Sequence, residues 1–195
     1  VSYAPHGFPN VDMLGSDIYL FSAYKTYGPH QGIMVVRREL GTSLPNQGHS
    51  FNSDSLYKRF TPAGPDHAQV AACAGMADYV DVVYAHHFKA EATPAVRCAQ
   101  VHDLFRAHEV HLTQPILDYL ETKNSAQLIG PANAKDRAPT IAVRLQMPGE
   151  EAAEKLVPFG VMAGGGDFYA VRPLEAMNIA PEHGVLRLSF VHYTG

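Results

Sequence analysis

The stretch "SDIYLFSAYKTYGPHQGIMVVRR", Ser16–Arg38, decides how this chain is read. Two short runs rich in β-forming residues, "SDIYLFSA" and "GIMVVRR", flank a turn containing Gly28 and Pro29. Runs of this length and composition predict two consecutive strands, the first of them buried. At the end of the first stands a single lysine, Lys25. Lysine is almost never fully buried unless something holds it. Lys25 therefore either snorkels to the surface from a strand end or is placed there to react.

Outward from this stretch, residues 39–56 are polar and contain Gly41, Pro45 and Gly48, which predicts a loop of unusual length. Asp66 is placed to cap a helix over His67–His87, where Val70, Cys73, Ala74, Ala77, Val80 and Tyr84 recur at helical spacing. Thr93 and Pro94 form a helix start, cap then first turn. That second helix is expected to break or kink at Pro115, which removes a helix hydrogen bond, and to end near Asn124. Beyond it, "AQLIG", "TIAVRLQ" and "GVLRLSFV" predict strands, with helical "GEEAAEKLVPF" and "RPLEAMNI" between them. The organisation expected is the tail of one domain over 1–58, connecting helices over 59–124, and a small α/β domain over 125–195. The opening "VSYAPHGFPN" reads as following a strand and the closing "GVLRLSFVHYTG" as stopping on one, so an internal piece of a longer chain is expected.

Composition narrows the function. Hydrophobic residues make up 46% of the 195, enough for a core, and the formal charge is -4 without a basic block. A nucleic-acid partner is not expected, nor a membrane one, since no apolar run approaches the roughly 20 residues of a spanning helix. Cys73 and Cys98 lie in helical segments and form no metal-like or redox pair, which suits a reduced, cytoplasmic setting.

The lysine stretch resembles the cofactor motif of the class V aminotransferase and cysteine desulfurase family, fold-type I enzymes that use pyridoxal 5'-phosphate. Members read aspartate, aromatic strand, Ser-x-His-Lys, then x-x-Gly-Pro-x-Gly and a further strand. The resemblance implies an α/β fold, the end of the large cofactor-binding domain followed by the small C-terminal domain. It implies that the Lys25 amine condenses with the cofactor aldehyde and later moves protons at the substrate α-carbon. Ser22 would bond the cofactor phosphate, and Gly28 and Gly32 would let the backbone turn tightly beside the ligand. Tyr24 stands where relatives carry histidine, and its hydroxyl can still donate to a phosphate.

Upstream, "VSYAPHGFPNVDMLG" is similar to the segment after the acid that pairs with the pyridine nitrogen, so that acid is expected just before Val1. Ser2 occupies the place of a glutamine near the cofactor oxygen, and His6 that of a recurrent histidine expected to be structural. "KRFTPAGPDHAQVAA" resembles a segment whose threonine reaches the partner's phosphate in a homodimer; Gly64 stands at that position here. In "FGVMAGGGDFYAVRPLEAM", Tyr169 falls where desulfurases carry their persulfide-forming cysteine. A phenol cannot replace a thiolate there. "GVLRLSFVHYTG" resembles the closing strand on which an arginine, here Arg187, grips the substrate carboxylate through its planar fork.

Other motifs read as structural. Gly164–Gly166 lacks the Gly-Lys-Ser/Thr of a phosphate loop and is expected to be a flexible turn. His108 and His111 are three apart where a zincin needs four, so "AHEVH" is expected to be a solvated helix face without a metal. Together these residues predict a pyridoxal phosphate enzyme acting on an amino acid or related amine, with transamination foremost. A desulfurase-, lyase- or epimerase-like enzyme and a non-catalytic dimeric relative are the alternatives.

Overall fold

The computed structural model describes residues 3–7, 9–61 and 64–194. They form two compact units, Val1–His102 and Asp103–Gly195.

In the N-terminal unit, a helical turn α1 (Ala4–Gly7) precedes strands β1 (Ile18–Ser22) and β2 (Gly32–Val36). The strands pair antiparallel, with Leu20 opposite Met34 and Ser22 opposite Gly32. The expectation of a buried strand is corrected: Ile18, Leu20 and Met34 are 43%, 56% and 40% exposed. A two-stranded ribbon has no layer of its own to cover both faces. Helix α2 (Arg38–Ser43) occupies the start of the segment expected to be loop. Buried Gly41 lets it lie against Leu56, where an added Cβ would come within 3.2 Å of the leucine.

The single helix expected over His67–His87 is two, α3 (His67–Ala72) and α4 (Gly75–His87). Asp66 caps α3 by accepting from the Gln69 amide at 3.1 Å. The break falls at Cys73–Ala74, immediately before Gly75, a poor helix former. Of the expected apolar stripe, only Val80 and Tyr84 are buried.

Helix α5 (Pro94–Glu121) starts at the expected position, and the Val96 amide donates to Thr93 Oγ1 at 3.4 Å. It runs through Pro115 without the break that is one of the two expected outcomes. One missing N–H bond is outweighed by the packing of Ile116, Leu117 and Leu120 on the sheet of the C-terminal unit.

That sheet has four strands in the order β3 (Ala126–Ile129), β4 (Thr140–Leu145), β6 (Val185–Ser189), β5 (Gly164–Gly166), all antiparallel. The connections carry α6 (Gly149–Leu156) and α7 (Val171–Ala176). Along β4, Ile141 and Val143 point inward and are fully buried with Leu117 and Ala134. The glycine run is not a turn but edge strand β5. The reason is steric: a Cβ on Gly165 would come 2.2 Å from the backbone of Gly149, so this strand can pass α6 only without side chains. Arg137 ties the unit together, donating to the carbonyls of Pro131 (2.6 Å), Thr140 (2.8 Å) and Ile129 (3.2 Å). Burial pulls its pKa down from the ordinary arginine value.

The "AHEVH" face is also corrected. Glu109 is buried and pairs with Arg106 at 3.5 Å, while a ring nitrogen of half-buried His108 lies 3.1 Å from the Thr194 carbonyl. His111 is exposed, as a solvated face requires. Among the described residues no cluster of three metal-capable side chains forms, and no helix is long and apolar enough to cross a membrane.

Candidate active site

Around the lysine, β1 runs directly into a single 3-10 turn, Ala23–Thr26. Ala23 is fully buried and anchors the turn: its amide donates to the Gln31 carbonyl at 2.7 Å, and its carbonyl accepts from the Gly28 amide at 2.9 Å. The family resemblance assigns the tight turn to Gly28 and Gly32. The left-handed residue is instead Tyr27, at φ 64°. A non-glycine there costs roughly 1–2 kcal/mol, so its surroundings must hold it; its ring packs on Tyr79 with centroids 5.4 Å apart. Gly28 serves close packing, since a Cβ would meet Met76 Sδ at 2.6 Å, whereas Gly32 faces open space.

This geometry brings three of the expected site residues together. Ser22 is half-buried, and its hydroxyl makes no capping hydrogen bond to the turn it precedes. Lys25 is half-buried, with Nζ 5.7 Å from the centroid of the Tyr24 ring. Tyr24 itself is 47% exposed and lies flat on His30, centroids 4.7 Å apart and planes within 5°. Sequence reasoning misses His30. The available signal is an aromatic nitrogen ring just after the Gly-Pro step of the motif.

The donor set fits pyridoxal phosphate. A half-buried amine suits an aldehyde. The uncapping Ser22 hydroxyl and the half-exposed Tyr24 phenol two residues on are neutral donors suited to a phosphate. Ser2 lies outside the described residues. The His6 carbonyl lies 3.2 Å from a ring nitrogen of His102. Gly64 is exposed, and a Cβ added to it would meet nothing within 4 Å.

Arg187 belongs to the C-terminal unit. On β6 it is flanked by Ala142 of β4 and Gly164 of β5. Its guanidinium carbon lies 3.9 Å from the centroid of the Phe168 ring, a cation–π stack. It is exposed, and among the described residues no carboxylate pairs with it. Phe168 and Tyr169 are consecutive left-handed non-glycines, φ 51° and 61°, held by the Asp167 carboxylate accepting from the Tyr169 amide at 2.9 Å. Tyr169 projects wholly into solvent. Strain of this kind clusters at ligand clamps and active sites. Sequence reasoning misses Phe168 because its partner is far along the chain; the Gly-Gly-Gly-Asp-aromatic run is the available signal.

The profile of the family described as Aminotransferase class-V matches residues 1–195. A curated relative, the aminotransferase-like protein FGM3 of Gibberella zeae, is 28% identical over 99% of this chain and 46% of its own length. In solved structures, the cysteine desulfurase CsdA of Escherichia coli superposes with a TM-score of 0.74 at 19% identity, covering 99% of this chain and 46% of that one. The cysteine desulfurase of Thermococcus onnurineus gives 0.70 at 20% identity, covering 98% and 46%. The chain therefore spans about half the length of the relatives it matches, with the α/β fold they share. From end to end, this chain belongs to the class V aminotransferase family.

Proposed function

We propose that the full-length protein is a pyridoxal phosphate enzyme, working as a homodimer, that transaminates an α-amino acid. The observation that carries this reading is the half-buried Lys25 in the turn that follows β1, with Tyr24 in the same turn and Ser22 at the strand end just before it. Pyridoxal phosphate, when bound, supplies an aldehyde for amines and an electron sink for the substrate α-carbon.

The residues divide the remaining work. Lys25 holds the cofactor through its amine and, once released, takes the proton from the substrate α-carbon. Ser22 and Tyr24 donate to the phosphate. Arg187 binds the substrate carboxylate through the N–H edge of its fork. Tyr169 stands at the loop position where a desulfurase needs a thiol, and both cysteines, half-buried Cys73 and exposed Cys98, belong to the N-terminal unit. Transamination is favoured because it needs no group beyond the lysine and the arginine.

The test is a panel of α-amino acids given to the full-length protein with a 2-oxo acid acceptor. The expected result is exchange of the amino group for at least one donor, abolished in Lys25→Ala. Release of sulfide from cysteine, with a persulfide on Cys73 or Cys98 and no amino-group exchange, would contradict the reading.

A further inference from the structure

An arginine on an exposed strand position samples many rotamers, and freezing it when a ligand arrives weakens binding. Arg187 is not in that situation. One face of its guanidinium is covered by the Phe168 ring at 3.9 Å, while the residue as a whole stays exposed. A stacked guanidinium keeps its in-plane N–H donors, the ones that match a carboxylate in a two-bond fork.

The ring cannot follow the arginine if it moves. Phe168 packs against the buried cluster of Leu174, Ile179 and Val185, and its backbone is pinned in the left-handed region by the Asp167 turn. Across the strand pair, the residue opposite Arg187 is Gly164. A Cβ there would lie 3.2 Å from two carbons of the Phe168 ring and 4.0 Å from Arg187 Nη2. Any side chain at position 164 would therefore press on the stack.

We propose that Phe168 is a positioning residue: anchored in the core of the C-terminal unit and admitted by Gly164, it fixes the plane of the Arg187 guanidinium so that its free edge selects a planar carboxylate. This rests on the reading of Arg187 as the carboxylate-binding residue.

The test uses the cofactor-loaded full-length protein and two probes: 2-aminoisobutyrate, which has the carboxylate but no α-proton, and tert-butylamine, which has neither. Binding of each is measured by titration calorimetry. Phe168→Leu is expected to weaken 2-aminoisobutyrate roughly two- to fivefold, the scale of an exposed cation–π contact, and to leave tert-butylamine unchanged. Phe168→Tyr restores the aromatic face and binding with it. In an Arg187→Ala background, Phe168→Leu has no further effect. Turnover should show a raised KM with kcat little altered. Should Phe168→Leu fail to fold, Gly164→Ala, which crowds the same ring, is expected to give the same selective loss.

Two failures are distinguishable. If Arg187→Ala weakens 2-aminoisobutyrate while both Phe168→Leu and Gly164→Ala leave it unchanged, or weaken both probes equally, Phe168 has no positioning role. If Arg187→Ala itself leaves 2-aminoisobutyrate binding unchanged, the carboxylate reading of Arg187 falls, and this inference with it.

Discussion

The β1–β2 ribbon of the N-terminal unit and the four-stranded sheet of the C-terminal unit come from sequence of the same texture, short apolar runs rich in valine, isoleucine and leucine. Their outcomes differ. Leu20 and Met34, opposite one another on the ribbon, are both substantially exposed, whereas Ile141 and Val143 on β4 are buried completely. Among the described residues, what separates them is a covering layer, supplied to the sheet by Ile116, Leu117 and Leu120 of α5. Apolar composition makes a strand; only a packed neighbour makes it core. The two candidate site residues with a firm chemical rationale sit in these contrasting settings, Lys25 at the tip of the ribbon and Arg187 on a supported strand.

Substitution puts this difference between ribbon and sheet at risk. In the 195-residue chain, Ile141→Ala should cost about 2–5 kcal/mol, the range for truncating a buried aliphatic side chain, and Leu20→Ala below about 1 kcal/mol. Urea unfolding with hydrogen exchange read separately on β1 and β4 decides it; equal losses would mean the ribbon is as well covered as the sheet. Next among the stability effects is Arg137→Ala, which leaves three carbonyls around β3 and β4 without their donor. A loss of about 1–2 kcal/mol is expected in the same assay, since the half-buried Ile129 and Thr140 carbonyls lose their donor while the exposed Pro131 carbonyl can turn to water. This loss should be flat from about pH 5 to 9, because arginine stays protonated there even with its pKa lowered.

Arg187→Ala carries the same comparison into function, asking what a supported strand does for ligand binding. It should weaken carboxylate-bearing substrates by about 1.5–3 kcal/mol, the scale of a charged hydrogen-bonded contact, while Tyr169→Phe leaves cofactor binding unchanged. An unaltered KM for an amino acid substrate would remove Arg187 from the site. Smallest is Asp66→Ala, about 1 kcal/mol for a lost helix cap, seen as faster amide exchange at Gln69.

Local signals carry much of the fold. The caps at Asp66 and Thr93, the strand pair around the Gly-Pro turn and the order of the C-terminal elements are legible because each rests on residues a few positions apart. Pro115 does not break its helix because propensity alone is weaker than the packing of Leu117 against a sheet. The glycine run misleads because a strand of three glycines makes sense only once the 2.2 Å approach to Gly149 is known. Lys25, Ser22 and Tyr24 are legible as one motif. The stack of Phe168 on Arg187 is not, since it depends on the β5–β6 register that places Gly164 opposite the arginine.

The proposed function turns on the Lys25 amine as the group that would hold the cofactor. Full-length protein loaded with pyridoxal phosphate and reduced with borohydride should carry one phosphopyridoxyl group per chain. Peptide mapping is expected to place it in the segment Ser22–Arg37, on Lys25. A label on any other lysine, or none at all, would overturn that assignment.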